Sequence, residues 1–144
     1  MDEQIAIQIR EILSNWTDIQ ISNMKNILIG AGKVASGRLV ESLVKEIVSD
    51  TEININMESY GKFVDGGRAP GKFPPISKIK EWCSMRGIPE TAAFPIARSI
   101  AENGIAPLNF TDSMYEGLNS LTQQIATTYG EYIAKTIKIN LEAK

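Results

Sequence analysis

Thr51-Glu-Ile-Asn-Ile-Asn-Met-Glu58 alternates strictly between apolar and polar residues. Ile53, Ile55 and Met57 fall on one side and Asn54, Asn56 and Glu58 on the other, the period of a strand with one buried face. A lone strand leaves its backbone N–H and C=O groups unpaired, so it requires a partner. The nearest candidate is 39–48, across a short Ser49-Asp50 turn. By itself this segment is ambiguous. Leu39, Val40, Leu43, Val44, Ile47 and Val48 fit a helical stripe, while their β-branched content favours a strand. Periodicity leans toward helix, and the need for a partner pulls the segment toward β. Pairing of the two segments would make a hairpin.

Both flanks of this hairpin read as helical. On the N-terminal side, Ile5, Ile9, Ile12, Leu13, Trp16 and Ile19 recur at three- and four-residue steps, predicting a long amphipathic helix from Asp2 to about residue 28. Asp2 is placed as its N-cap, and Gly30 and Gly32 as its end. Ile5, Ile7, Ile9, Ile19 and Ile21 spread over more than one face, which suggests a second, subunit-facing side. Ser36-Gly37 reads as punctuation before the hairpin.

On the C-terminal side, Pro74-Pro75 opens a helix carried by Ile76, Ile79, Trp82, Cys83 and Met85 and closed at Gly87. Pro89-Glu90 starts another, whose Ala92, Ala93, Phe94, Ile96, Ala97, Ile100 and Ala101 form a close-packing face that ends at Asn103-Gly104. Ile105–Phe110 is a short extended connector. Thr111-Asp112 then caps a final helix running through Met114, Leu118, Leu121, Ile125, Tyr129, Ile133 and Ile137. The residues thus read as a long N-terminal helix, a small β region and further helices after it. The chain is one domain over 1–144.

Bulk composition is that of an ordinary globular chain, with 43% hydrophobic and 22% charged residues. The formal net charge of −2 gives the whole molecule no pull toward nucleic acid. Cys83 is the single cysteine, which excludes an internal disulfide framework and fits a reducing compartment. The start, Met1-Asp-Glu-Gln4, is acidic where a leader needs positive charge, and no apolar run approaches a membrane span. Histidine is absent, removing the commonest general base and metal ligand. No serine, threonine or cysteine has a base partner, and no enzymatic activity, metal or cofactor is expected.

The least ordinary stretch is Tyr60-Gly-Lys-Phe-Val-Asp-Gly-Gly-Arg-Ala-Pro-Gly-Lys-Phe-Pro-Pro75. It reads as a shaped basic loop between the sheet and the later helices. Tyr60, Phe63 and Val64 anchor its entry on a short turn. Asp65-Gly66-Gly67 offers positive-φ positions, and three prolines stiffen the backbone that carries Arg68 and Lys72. Over 60–86 there are six basic residues (Lys62, Arg68, Lys72, Lys78, Lys80 and Arg86) against Asp65 and Glu81.

A phosphate cradle is disfavoured. Gly66, Gly71 and Lys72 have the spacing, but Phe73 stands where Ser or Thr is needed, and Pro74-Pro75 follows. Nucleic-acid contact through the cations with Tyr60, Phe63 and Phe73 interleaved is one open reading. A protein-contact loop, with Arg68 and Lys72 pairing carboxylates of a neighbour, is another. A solvated loop with no role is the third.

Three blocks together resemble the tail-completion and head–tail joining proteins of long-tailed bacteriophages. They are Ser36-Gly-Arg-Leu39, then Tyr60-Gly-Lys-Phe-Val-Asp-Gly-Gly-Arg68, then Ala93-Phe-Pro-Ile-Ala-Arg-Ser-Ile-Ala-Glu-Asn-Gly-Ile-Ala-Pro-Leu-Asn-Phe110. The family's aromatic-small-x-aromatic-Val-acid-x-Gly pattern is matched by Tyr60, Gly61, Phe63, Val64, Asp65 and Gly67. Its later block is matched by Ile96 to Ile100, Gly104, Ile105, Pro107 and Phe110. The chain departs from the family at Asp65 and at Gly66-Gly67-Arg68, where Glu and then Gly-Thr are frequent, and in a longer helix over 74–87.

The resemblance implies an α+β fold, a long N-terminal helix and a small antiparallel sheet (hairpin 38–58) packed against C-terminal helices; it settles 39–48 as a strand and implies a structural virion protein. Such a protein is a hexameric or dodecameric ring subunit at the phage neck, between the portal or connector and the tail tube. Genomic DNA would pass through the lumen without sequence-specific binding. Assembly would occur in the host cytoplasm, without a membrane. The interface residues expected on this view are Tyr60, Phe63, Asp65, Gly67, Arg68, Lys72 and Phe73. The alternative is a nucleic-acid-binding accessory protein that uses the basic 60–86 region.

Overall fold

A computed structural model describes residues 1–31 and 36–143. The chain is α+β and divides into two compact units, Met1–Gly61 with Phe110–Lys144, and Lys62–Asn109.

The first unit is built on α1 (Glu3–Gly30). Asp2 caps it as expected: its Oδ1 accepts from the backbone N–H of Gln4 at 2.7 Å and of Ile5 at 3.3 Å. Those donors have no partner within the helix, so Asp2→Ala is expected to cost about 1 kcal/mol. Thermal unfolding of the variant checks this. The helix ends at Gly30, with Ala31 as its C-cap; Gly32 lies outside the described residues. Ile9, Leu13, Ile21, Met24 and Leu28 are buried. Ile5 is half-buried, while Ile7 and Ile19 are exposed. These last two are twelve residues apart and so project about 120° from one another, too far to share a stripe.

The ambiguous segment 39–48 divides. Its first part is helical, in α2 (Ser36–Ser42), and only β1 (Val44–Ile47) is extended. Leu39 and Leu43 are buried one helical turn apart, the spacing that favours helix. β2 (Glu52–Met57) pairs antiparallel with β1, from Val44 opposite Asn56 to Ile47 opposite Ile53. Beyond that, the Ser42 hydroxyl accepts the Glu58 N–H at 3.0 Å and donates to the Leu39 carbonyl at 2.7 Å. The helix end thereby does what a longer strand would have done, and the hairpin begins at Val44 instead of 38. Ser36 and Gly37 lie within α2 and do not punctuate.

Two further departures concern the C-terminal segment. The final helix does not reach Ile137. α6 (Asp112–Tyr129) stops at Gly130, whose φ is 103°, and a short α7 (Glu131–Thr136) follows. β3 (Lys138–Ala143) then pairs parallel with β2. The sheet is therefore mixed, in the order β1-β2-β3, and not purely antiparallel.

β2 is central and behaves as its alternation predicts: Ile53, Ile55 and Met57 are buried. Ile53 and Ile55 sit opposite Ile139 and Leu141 of β3. The other face is polar. The Asn140 side-chain amide donates to Asn54 and to Glu52, both at 2.9 Å, and the Asn54 amide donates to Glu46 at 3.0 Å. Ile9, Leu13, Ile53, Leu121 and Ile125 form a buried cluster, with Trp16, Ile133 and Ile139 among the side chains packed on it. Lys45 ties β1 to α1 through Asp18 at 2.8 Å and Ser14 at 2.7 Å. An inward-pointing charge of this kind discourages pairing at an edge strand.

The Lys62–Asn109 unit holds most of α3 (Gly61–Gly66), then α4 (Ile76–Met85), a 3₁₀ turn (Glu90–Ala92) and α5 (Ala93–Asn103). Pro75 is the N-cap of α4. At its far end the Ile88 N–H reaches the Cys83 carbonyl at 2.9 Å and Gly87 has φ of 68°, a Schellman ending. Cys83, Ala93 and Ala97 are buried. Phe94, expected in the packing face of α5, is instead exposed, since it lies one residue off the Ala93–Ala97 row.

Candidate functional site

The basic stretch 60–75 is less of a loop than expected. Gly61–Gly66 forms a helical turn, α3. Gly61 is buried, and a Cβ there would lie 2.7 Å from Met57 Sδ and 2.9 Å from Leu39 Cδ1. Its smallness therefore serves packing.

A short helix has as many orphan carbonyls as a long one. In α3 three of the last four are satisfied in order: Phe63 accepts from Gly67 N–H at 2.8 Å, Val64 from Leu108 N–H at 2.9 Å and Asp65 from Asn109 N–H at 2.9 Å. Two of those donors belong to the connector after α5. The exchange runs both ways, because Gly71 N–H caps the Ala101 carbonyl of α5 at 2.7 Å. Between these caps, Arg68 and Ile105 form a two-way antiparallel bridge, with N–H to O distances of 2.8 and 2.7 Å.

The bridge needs two glycines. Gly67 has φ of 72°, and a Cβ on it would stand 2.6 Å from the Ile105 carbonyl oxygen and 2.9 Å from Pro107 N. Gly104 has φ of 69°, and a Cβ there would collide with the Arg68 carbonyl oxygen. Each strand of this clasp thus presents a glycine where the other strand's backbone comes closest.

The seven residues expected at an interface are distributed unevenly. Tyr60 belongs to the first unit, and the other six to the second. Gly67 is consumed by the clasp. Phe63 is half-buried under two cations, with Lys62 Nζ 5.2 Å and the Arg68 guanidinium 5.6 Å from its ring centroid. Asp65 is half-buried and its carbonyl serves α3. Lys72 and Phe73 are exposed. Among the described residues, Arg68 and Lys72 have no carboxylate partner, while Lys78 pairs with Glu81 and Arg98 with Glu102.

Phe94 joins this region from outside the expected set. Its ring lies 5.4 Å from that of Phe73, and the two are 58% and 46% exposed. The apolar side chain of Phe94 carries no sequence signal of exposure, because the covered side of α5 is set by the rest of the unit.

Charge separates by unit. Lys62–Asn109 carries seven Lys/Arg and four Asp/Glu, an excess of three positive charges; the other unit carries eight and thirteen, an excess of five negative. Among the described residues no group of three or more His, Cys, Asp or Glu is arranged to hold a metal, and no helix is long and apolar enough to cross a membrane. Comparison with protein-family models, with curated proteins and with solved structures gave no match.

Proposed function

We propose that this chain is a structural subunit of a phage neck, forming a ring at the junction of portal or connector and tail. The observation that supports this reading is the clasp. The two longer sequence blocks that resemble the tail-completion family are separated in the chain by residues 69–92. They meet backbone to backbone through Arg68 and Ile105, and α3 of the first block is capped by the second. The residues of the resemblance thus work as one structural device, with Gly67, Gly104 and Pro107 at its points of closest approach. The device holds Arg68 and Lys72 on a fixed backbone, and fixed cations lose little entropy when a neighbour's carboxylates arrive.

Reversing both charges, R68E with K72E, is expected to weaken self-association at least tenfold while the monomer stays folded. The backbone bridge does not use either side chain, and the cation–π interaction of Arg68 with Phe63 is worth only about 0.5–1 kcal/mol. Light scattering or analytical ultracentrifugation, with far-UV circular dichroism as control, reads both. The mass of the wild-type protein in solution and in assembled particles is the wider test: a protein monomeric at every concentration and absent from particles overturns the reading.

The positive excess of the Lys62–Asn109 unit favours one second reading, a nucleic-acid-binding accessory protein. Salt-dependent DNA binding without oligomers would select it.

A further inference from the structure

We infer that the exposed Phe73–Phe94 pair, with Lys72 beside it, docks on α6 of a second copy of this chain, at Asp112, Tyr115 and Glu116. This rests on the ring-subunit reading and names the two faces that would meet. The first face is aromatic and basic. Gly71 is fixed to Ala101 and Phe73 lies on Phe94, so Lys72 is held between two anchor points on α5. Two half-exposed phenyl rings leave about 200 Å² of apolar surface facing outward, and aromatic anchors of this kind dominate protein interfaces.

The second face has the complementary chemistry. Asp112 and Glu116 are exposed one helical turn apart, and Tyr115, at 50% exposure, lies beside them. Like charges at that spacing repel, and among the described residues neither acid has a basic partner. The excess charge of the two units has opposite sign, so a second copy presents acidic surface to a basic one. The two patches differ, so the contact is heterologous, the type that builds a ring when its rotation closes.

The test uses the full chain in two variants. F73S/F94S disables the first face, and D112K/E116K the second. Each alone is expected to be monomeric where the wild type assembles. Mixed in equal amounts they are expected to form a 1:1 dimer that grows no further, because one intact copy of each face remains. Circular dichroism and thermal melts confirm that both variants fold. K72E, a gentler change, should weaken assembly at least tenfold at low salt and less at high salt. A wild type that assembles while both double variants assemble equally well overturns this docking and leaves the ring reading standing. Two monomeric variants that fail to dimerise when mixed also overturn it. A wild type that never assembles overturns both readings.

Discussion

Alanine at Gly67 is expected to destabilise the Lys62–Asn109 unit by about 2–4 kcal/mol, whereas alanine at the adjacent Gly66 leaves stability unchanged or raises it by up to about 1 kcal/mol. The two glycines are neighbours in sequence and opposite in role. Gly66 ends α3 without a positive φ, and a Cβ there meets nothing within 4 Å. Gly67 has φ of 72°, where an alanine is strained by about 1–2 kcal/mol. Its Cβ would also stand 2.6 Å from the Ile105 carbonyl oxygen, so the bridge must open and give up hydrogen bonds worth about 1 kcal/mol each. G104A should behave like G67A, because its Cβ meets the other strand of the same bridge. Denaturant unfolding gives the energies, and amide exchange at Arg68 and Ile105 localises the effect. Equal stability of G66A and G67A would mean that the two strands do not close on each other at Gly67.

The second large effect lies in the first unit. L13A is expected to cost about 2–5 kcal/mol, the range for a leucine removed from a filled core. Leu13 is fully buried among Ile9, Ile53, Leu121 and Ile125, so the space it leaves is bounded by α1, β2 and α6 together. I19A, on the same helix but exposed, is expected to stay within about 0.5 kcal/mol of wild type. Calorimetry or urea titration of the pair checks the contrast. Equal losses at the two positions would mean that α1 faces the other way.

Much of the fold is legible in the sequence because it depends on local patterns. The alternation over 51–58 predicts the buried row Ile53, Ile55 and Met57, and Asp2 caps α1 where its residue type places it. Segment 39–48 carries both a helical period and β-branched residues, and the structure uses both, passing from α2 to β1 at Leu43. The C-terminal strand is masked because Ile133 and Ile137 extend the spacing of α6. Ile137, Ile139 and Leu141 do alternate, but over too short a run to outweigh that helical period, and the stop at Gly130 depends on its positive φ.

The candidate site is legible in its residue types and not in its geometry. Gly67 and Gly104 read in sequence as turn residues. Their facing backbones are almost forty positions apart in the chain, and no local rule links them. Phe94 is apolar and therefore reads as internal. Its exposure depends on which side of α5 the rest of the unit covers.

Taken alone, the sequence determined the long first helix, the buried face of β2 and the basic character of 60–86. These follow from periodicity and charge, which each segment carries in its own residues. Only the tertiary structure decided that β3 joins the sheet in parallel, that Gly67 and Gly104 lie across the same bridge, and that Phe73 and Phe94 lie outside. Those outcomes depend on which distant backbone group supplies a missing hydrogen-bond partner, and on which face remains once the core is filled.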